Sequence, residues 1–248
     1  MAEIMVRSYY PVEDTFLNAS RGLIKGGDPR NIFGKAFGTT SVVTGEYRVP
    51  WELAADYVFP TAQVVMSVVS TSASDTAITI LINGLDSNFL EVSTTVALTG
   101  TTPVVVSSRP FFRINDVVVI SGNPVGDITI SNSGVTYAKV LAGTARNQAA
   151  VFTVPAGHCF YLYRIDAFAT DSNGGKAAFF RNFVRNNKTG VEFRVAETQF
   201  FENMNIQRRF PFKYDEKSDI KLQLKSSSGS IDGSIFAEGL LLAEPIGI

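Results

Sequence analysis

Between Asp219 and Lys225 apolar and polar side chains alternate without a break: Ile220, Leu222 and Leu224 against Lys221, Gln223 and Lys225. A period of two is that of a strand with one buried face, not that of a helix. The same alternation recurs from residue 50 onward, with Gly, Asn and Pro punctuating it about every 8–12 residues, as in sandwiches and barrels. The chain is therefore expected to be all-β, a β-sandwich of jelly-roll-like character. Two β halves follow an extended N-terminal arm. The expected boundaries are 1–49 for the arm, 50–142 for the first half and 143–248 for the second. Gly143–Gln148 reads either as a linker between two sandwiches or as a crossing loop inside one larger jelly roll.

In the first half, Gln63–Ser70, Thr76–Ile82, Phe89–Leu98, Phe111–Ile120 and Asp127–Ser131 read as strands. Asn83-Gly84 with Asp86–Asn88 reads as a hairpin connection. Pro50 and Pro60 bracket Trp51–Phe59, where one helical turn is expected. In the second half Val151–Val154 leads to the turn Pro155-Ala156-Gly157. Cys159–Thr170 is apolar on both faces, which places it centrally or under a second surface. Lys176–Asn186, Val191–Glu197, Asp219–Lys225 and Ile231–Leu242 complete the set.

Residues 1–49 sustain no apolar period, at either 2 or 3.6 residues. They hold Gly22, Gly26, Gly27, Gly34, Gly38 and Gly45, yet also Tyr9, Tyr10, Phe16, Phe33, Phe37 and Tyr47. A disordered tail is poor in aromatics. The segment reads as an arm that docks on its own domain or on a neighbour, or as a loose first strand with loops. Phe16, Phe33 and Phe37 are its candidate anchors.

The formal net charge of −1 argues against a protein that coats nucleic acid or an anionic membrane. It favours association with other protein surfaces. Glu3, Glu13 and Asp14 interrupt any secretory apolar region, so a soluble product made inside a cell is expected. Tyr57–Ser74 is free of charge but contains Pro60, Gln63 and hydroxyls, and no membrane span is expected.

The residue inventory closes most catalytic routes. One cysteine, Cys159, excludes an internal disulfide and multi-cysteine zinc sites. One histidine, His158, excludes HExxH and di-histidine metal sites. The two are adjacent, and neighbouring strand residues point to opposite faces, so a Cys-His dyad is badly placed. Gly27–Lys35 resembles a P-loop only superficially, because six residues separate Gly27 from Gly34 and Ala36 replaces the hydroxyl residue. Gly229–Gly233 carries its serine one place early for a nucleophile elbow. Asp215, Glu216 and Asp219 are interleaved with Lys213, Lys217 and Lys221, as in a solvated turn. No enzyme activity and no cofactor are expected.

One local bias stands out. Lys176–Lys213 holds eight basic residues, Arg181, Arg185, Arg208 and Arg209 among them, against three acids. Phe179, Phe180, Phe183, Phe193, Phe200, Phe201, Phe210 and Phe212 are interleaved with them. Such interleaving serves single-stranded nucleic acid in some proteins. It equally describes a protein interface with aromatic anchors and arginine at the rim. The chain as a whole is not basic and has no RNA-binding signature, so the interface is preferred and nucleic acid is not expected.

The ordered motifs carry a resemblance. Gly84-Leu-Asp-Ser-Asn-Phe-Leu-Glu-Val-Ser, Leu98-Thr-Gly-Thr-Thr-Pro-Val, Phe112-Arg-Ile-Asn and Gly126-Asp-Ile-Thr-Ile-Ser come first. Tyr137-Ala-Lys-Val-Leu-Ala-Gly, Asn147-Gln, Phe152-Thr-Val-Pro-Ala-Gly, Phe210-Pro-Phe, Lys217-Ser-Asp-Ile-Lys-Leu, Ser226-Ser-Ser and Phe236-Ala-Glu-Gly-Leu follow. Over residues 60–242 the chain resembles a group of small virion structural proteins of tailed bacteriophages, of the marine and cyanophage type. Each motif is short and turn-like; their order carries the resemblance. It implies a β-sandwich particle component without enzymatic activity, assembled in the host cytoplasm and located in the virion. Capsid decoration or a head appendage is favoured over a neck, tail or baseplate part. Its partners would be other virion proteins and copies of itself. The alternative is a carbohydrate- or receptor-binding sandwich of a tail fibre or baseplate, with Trp51 or the Tyr161/Tyr163 pair as its platform.

Overall fold

The computed structural model describes Asn18, Leu23, residues 26–170 and residues 175–243. From residue 27 the described chain runs through β1 (Gly27–Ala36), a single 3-10 turn (Gly38–Thr40) and β2 (Val42–Val43). It continues through β3 (Val64–Ser70), β4 (Thr79–Leu85), β5 (Glu91–Ala97), β6 (Val104–Phe111), β7 (Arg113–Ser121), β8 (Ile128–Asn132) and β9 (Val135–Val140). The last strands are β10 (Val151–Thr153), β11 (His158–Thr170), β12 (Ala178–Asn186), β13 (Glu192–Phe200), β14 (Asn203–Tyr214), β15 (Ser218–Ser226) and β16 (Ser230–Ala243).

The described strands form four antiparallel sheets: β1-β16-β11-β14 with β2 beside β16, β10-β15-β12-β13, β6-β3-β8-β9 and β5-β4-β7. The protein is all-β and built of sandwiches. In the larger unit eight strands, taken in chain order from β1 and then β10 to β16, are arranged first-eighth-third-sixth and second-seventh-fourth-fifth. This double Greek key is the jelly roll. Strands β3 to β9 form a seven-stranded sandwich inserted between its first and second strands.

Each sandwich has its own core. Met66, Val68, Ile80, Ile82, Phe111, Ile128 and Ile130 belong to the inserted one. Ile32, Trp51, Tyr57, Phe160, Phe180, Leu222 and Ile235 belong to the jelly roll. Trp51–Tyr57 thus packs with the second half, and Gly143–Gln148 is the return connection. Trp51–Phe59 contains no helix; it is a bent, extended segment. The Trp51 Nε1 donates to the Ala55 carbonyl at 2.6 Å, and its ring meets Tyr57 edge-on.

Of the segment expected as an arm, residues 27–36 run as β1 along β16, in unbroken register from Gly27↔Leu242 to Ala36↔Gly233. Ile32, Ala36, Val42 and Val49 enter the jelly-roll core. Asn83-Gly84 is not a turn: β4 continues through Leu85, and the hairpin loop lies at Asp86–Leu90. Glycine is required there by packing, since a Cβ on Gly84 would lie 2.1 Å from the Arg113 carbonyl oxygen and 2.7 Å from the Phe111 ring.

Arg113 locks the two sandwiches together. Its Nε and Nη2 donate to the Asp219 carboxylate at 2.9 and 2.8 Å, and Nη1 donates to the carbonyls of Pro60 and Phe112. Thr153 Oγ1 donates to Asp219 at 2.6 Å. Beside it, Asn115 and Thr153 exchange two side-chain–backbone bonds at 2.9 Å.

Candidate association surface

Strands β13 and β14 are the outermost members of the two jelly-roll sheets. They follow one another through Phe201-Glu202, where Glu202 takes a left-handed φ of 58°. Most of β13 faces solvent. On β14 the ladder with β11 jumps from Gln207↔Arg164 to Phe212↔Leu162. The extra residues, Arg208 to Pro211, bulge out of the sheet. Pro211 has no N–H to donate, which an outer strand tolerates.

The bulge throws Phe210 into solvent, where it is 78% exposed. Its conformation is fixed from within. The Arg208 Nε donates to the Phe210 carbonyl at 3.2 Å, and the guanidinium lies 3.9 Å from the Phe212 ring centre. Phe201, in the β13–β14 turn, is 60% exposed; Phe168 on β11 and Phe193 on β13 are nearly half exposed. Large apolar side chains left in water on outer strands mark contact surfaces, and outer strands are where sheets recruit partners. Lys213, farther along β14, is held protonated above the ordinary lysine range by Asp215 at 3.2 Å, then by the Cys159 thiol.

The sequence-derived interface residues do not converge on this corner as a set. Phe16 lies outside the described residues. Phe33 is half-buried against Phe236, with ring centres 6.4 Å apart, and Phe37 is exposed. Arg181 is absorbed into the outer face of the β12–β15 pair: its Nε donates to Gln223 at 3.0 Å and its guanidinium covers Tyr47 at 4.1 Å. Tyr47 in turn donates to Glu197 at 2.7 Å, and burial and that carboxylate push its pKa up to about 12. Arg185 is exposed on β12, 3.6 Å from Glu192. Arg208 and the backbone of Arg209 lie in the β14 bulge.

Phe201 and Phe210 carry the surface, and composition alone could not single them out among eight phenylalanines. A usable signal was present: a Pro inside an alternating segment, preceded by Arg208-Arg209-Phe210, marks an outer strand with a bulge. Phe180 and Phe200, by contrast, are buried.

Cys159 is buried, and the His158 Nδ1 lies 3.0 Å from the Ala156 carbonyl. Among the described residues no three His, Cys, Asp or Glu side chains come together as metal ligands. Trp51 is buried and offers no sugar platform; Tyr161 and Tyr163 are half-buried on β11. No helix among the described residues is long and apolar enough to cross a membrane.

No family model matches the chain, and no curated protein matches it. Among solved structures it is similar to the infectious bursal disease virus VP2 subviral particle, at 10% identity over 88% of this chain and 76% of that one, with a TM-score of 0.22. The structure of the Gx strain of the same virus gives 12% identity over 89% and 77% of the two chains, with a TM-score of 0.23. At such scores nothing about assembly or activity carries over to this chain.

Proposed function

We propose that the chain is a structural subunit of a virus particle that works through protein–protein contacts and performs no catalysis. The observation that carries this reading is the bulged outer edge of the jelly roll, with Phe201 and Phe210 held in water and Arg208 locking the bulge. An isolated monomer gains nothing from fixing a phenylalanine in solvent, whereas an interface gains roughly 1.5–3 kcal/mol for each one fully buried. The jelly roll is an architecture used by viral capsid domains and by lectins. A net charge of −1 puts little long-range repulsion between copies. The ordered motifs of residues 60–242 point to a tailed-phage virion, as a capsid decoration or head appendage ahead of a neck or tail part. Copies would close into a trimer or ring.

Light scattering on the purified full chain tests the association. A closed oligomer at micromolar concentration that Phe210→Ser and Phe201→Ser together dissociate supports the reading. A monomer with unchanged behaviour in the double variant overturns it. Density for the chain in an electron-microscopy map of the particle then decides head, neck or tail.

A further inference from the structure

The outer face of the β10-β15-β12-β13 sheet carries rings and cations in alternation. Lys225 lies 4.7 Å from the Phe179 ring centre and 4.6 Å from that of Tyr47. Arg181 lies 4.1 Å from Tyr47 and 5.3 Å from Phe183, and Lys221 lies 5.6 Å from Phe59. The row crosses the seam to Arg113, 4.9 Å from Phe59 and 3.9 Å from Phe112. At the crossing a cavity of about 350 Å³ opens between the jelly roll and the inserted sandwich. Register places Phe183 beside Lys221 and Arg185 beside Asp219, so these four side chains share one face and form the floor. Phe59 and Phe112 line it from the other side.

Around this cavity the cations Arg113, Arg185 and Lys221 meet the carboxylates Asp219, Glu192 and Asp56, but of these pairs only Arg113 and Asp219 are hydrogen-bonded. Asp219 is consumed by Arg113 and Thr153. Lys221 donates to the Tyr57 carbonyl at 2.6 Å, lies over the Phe59 ring, and stands 3.8 Å from the Asp56 carboxylate, beyond hydrogen-bond reach. Burial holds its pKa below the usual lysine range, against the pull of Asp56, Asp219 and Glu192. Arg185 and Glu192 stand 3.6 Å apart at the rim, both about half exposed. Arg185 and Lys221 therefore face a ring-lined hollow, each held to its carboxylate only at ion-pair distance and not by a hydrogen bond.

We infer that this cavity binds a carboxylated sugar, a uronic-acid residue of an acidic polysaccharide. Lys221 and Arg185 take the carboxylate, while Phe59 and Phe112 flank the C–H face of the sugar ring. The size suits one ring, since small-ligand sites begin near 300 Å³ and favour domain seams. Glu192 decides between anions. Sugar hydroxyls donate to it, whereas a phosphodiester has no donor to offer and is repelled. The site is separate from the β14 bulge and goes beyond a purely structural role.

Titration calorimetry on the full chain tests this with sodium glucuronate, glucose and sodium benzoate. Glucuronate should saturate with a dissociation constant on the order of 1 mM. Glucose should bind at least about tenfold more weakly, because it lacks the charge-assisted bonds. Arg185→Gln touches a half-exposed side chain and should keep the wild-type melting curve while weakening glucuronate roughly tenfold. Lys221→Met should do the same. Glucose equal to glucuronate, benzoate binding without glucuronate binding, unaltered affinity in both variants, or no saturation by any probe would each overturn the assignment.

Discussion

Replacing Arg113 with methionine is the most informative perturbation of the seam. Arg113 and Asp219 are 4% and 3% exposed, so the pair sits in a low-dielectric setting. Taking away the guanidinium leaves the Asp219 carboxylate buried with the Thr153 hydroxyl as its remaining side-chain donor. Removing one partner of a buried pair costs about 3–5 kcal/mol, because the stranded charge keeps its desolvation penalty. Loss of the contact with Phe112, 3.9 Å from the guanidinium, adds about 1 kcal/mol. The double variant Arg113→Met/Asp219→Leu removes the stranded charge and should recover at least about 2 kcal/mol of the loss. Trp51 is the sole tryptophan and lies in the jelly-roll core, so its fluorescence in a urea titration reports that unit, while far-ultraviolet dichroism reports both sandwiches. A single-variant loss below about 1 kcal/mol, as for a surface pair, would refute the reasoning. So would a double variant no more stable than the single one.

Glu52 offers a second test: its carboxylate is buried and accepts from the Gln148 N–H, and burial raises its pKa from 4.5 to about 7. The folded state therefore holds a proton that the unfolded chain releases. Stability should fall as pH rises from 4.5 to 7, by about 3 kcal/mol relative to Glu52→Gln, with the difference flat above and below that window; parallel melting-temperature profiles of the two proteins would contradict it. Gly84→Ala should lose about 3 kcal/mol in the same urea titration, since its methyl meets the Arg113 carbonyl, and wild-type stability would show that β4 and β7 can part there. Removing residues 1–45 should abolish the cooperative thermal transition seen by Trp51 fluorescence, because β1 covers one whole side of β16; a folded truncated chain would show that β1 only decorates the sheet.

What the sequence disclosed and what it hid divide along a physical line. Where the inward positions of a strand are bulky, as at Ile220, Leu222 and Leu224, the alternation is plain and the strand is where it was expected. In β1 the inward positions after Ile32 are Gly34 and Ala36, so a strand with a ten-residue ladder shows no apolar period. Gly34 is small because a Cβ there would lie 2.2 Å from the Pro50 carbonyl oxygen and 2.5 Å from the Ala150 nitrogen. The Asn83-Gly84 pair misled for the related reason that close packing, as well as a turn, demands glycine. The aromatic bias of Lys176–Lys213 was visible, but its division was not. Phe180 is core, Phe183 floors a cavity and Phe210 stands in water, and only the strand faces and the β14 bulge separate these fates.

The inserted sandwich explains how the jelly roll stays intact around so long an excursion. The chain leaves β2, passes Pro50 and Glu52, builds β3 to β9, and returns at Gln148 to Ala150. The two crossings are tied to each other at once. The Ala150 N–H donates to the Pro50 carbonyl at 3.2 Å, and the Gln148 N–H donates to the Glu52 carboxylate. To the jelly roll the insertion is therefore a closed loop, and closure entropy grows only with the logarithm of loop length, about 0.6 kcal/mol per doubling. The Arg113–Asp219 pair then fixes the loop's far body against the sheet to which it returns. That fixation sets the width of the cavity between Phe112 and Phe183. A chain that loosens the seam should thus lose whatever the cavity holds, even with Lys221 and Arg185 in place.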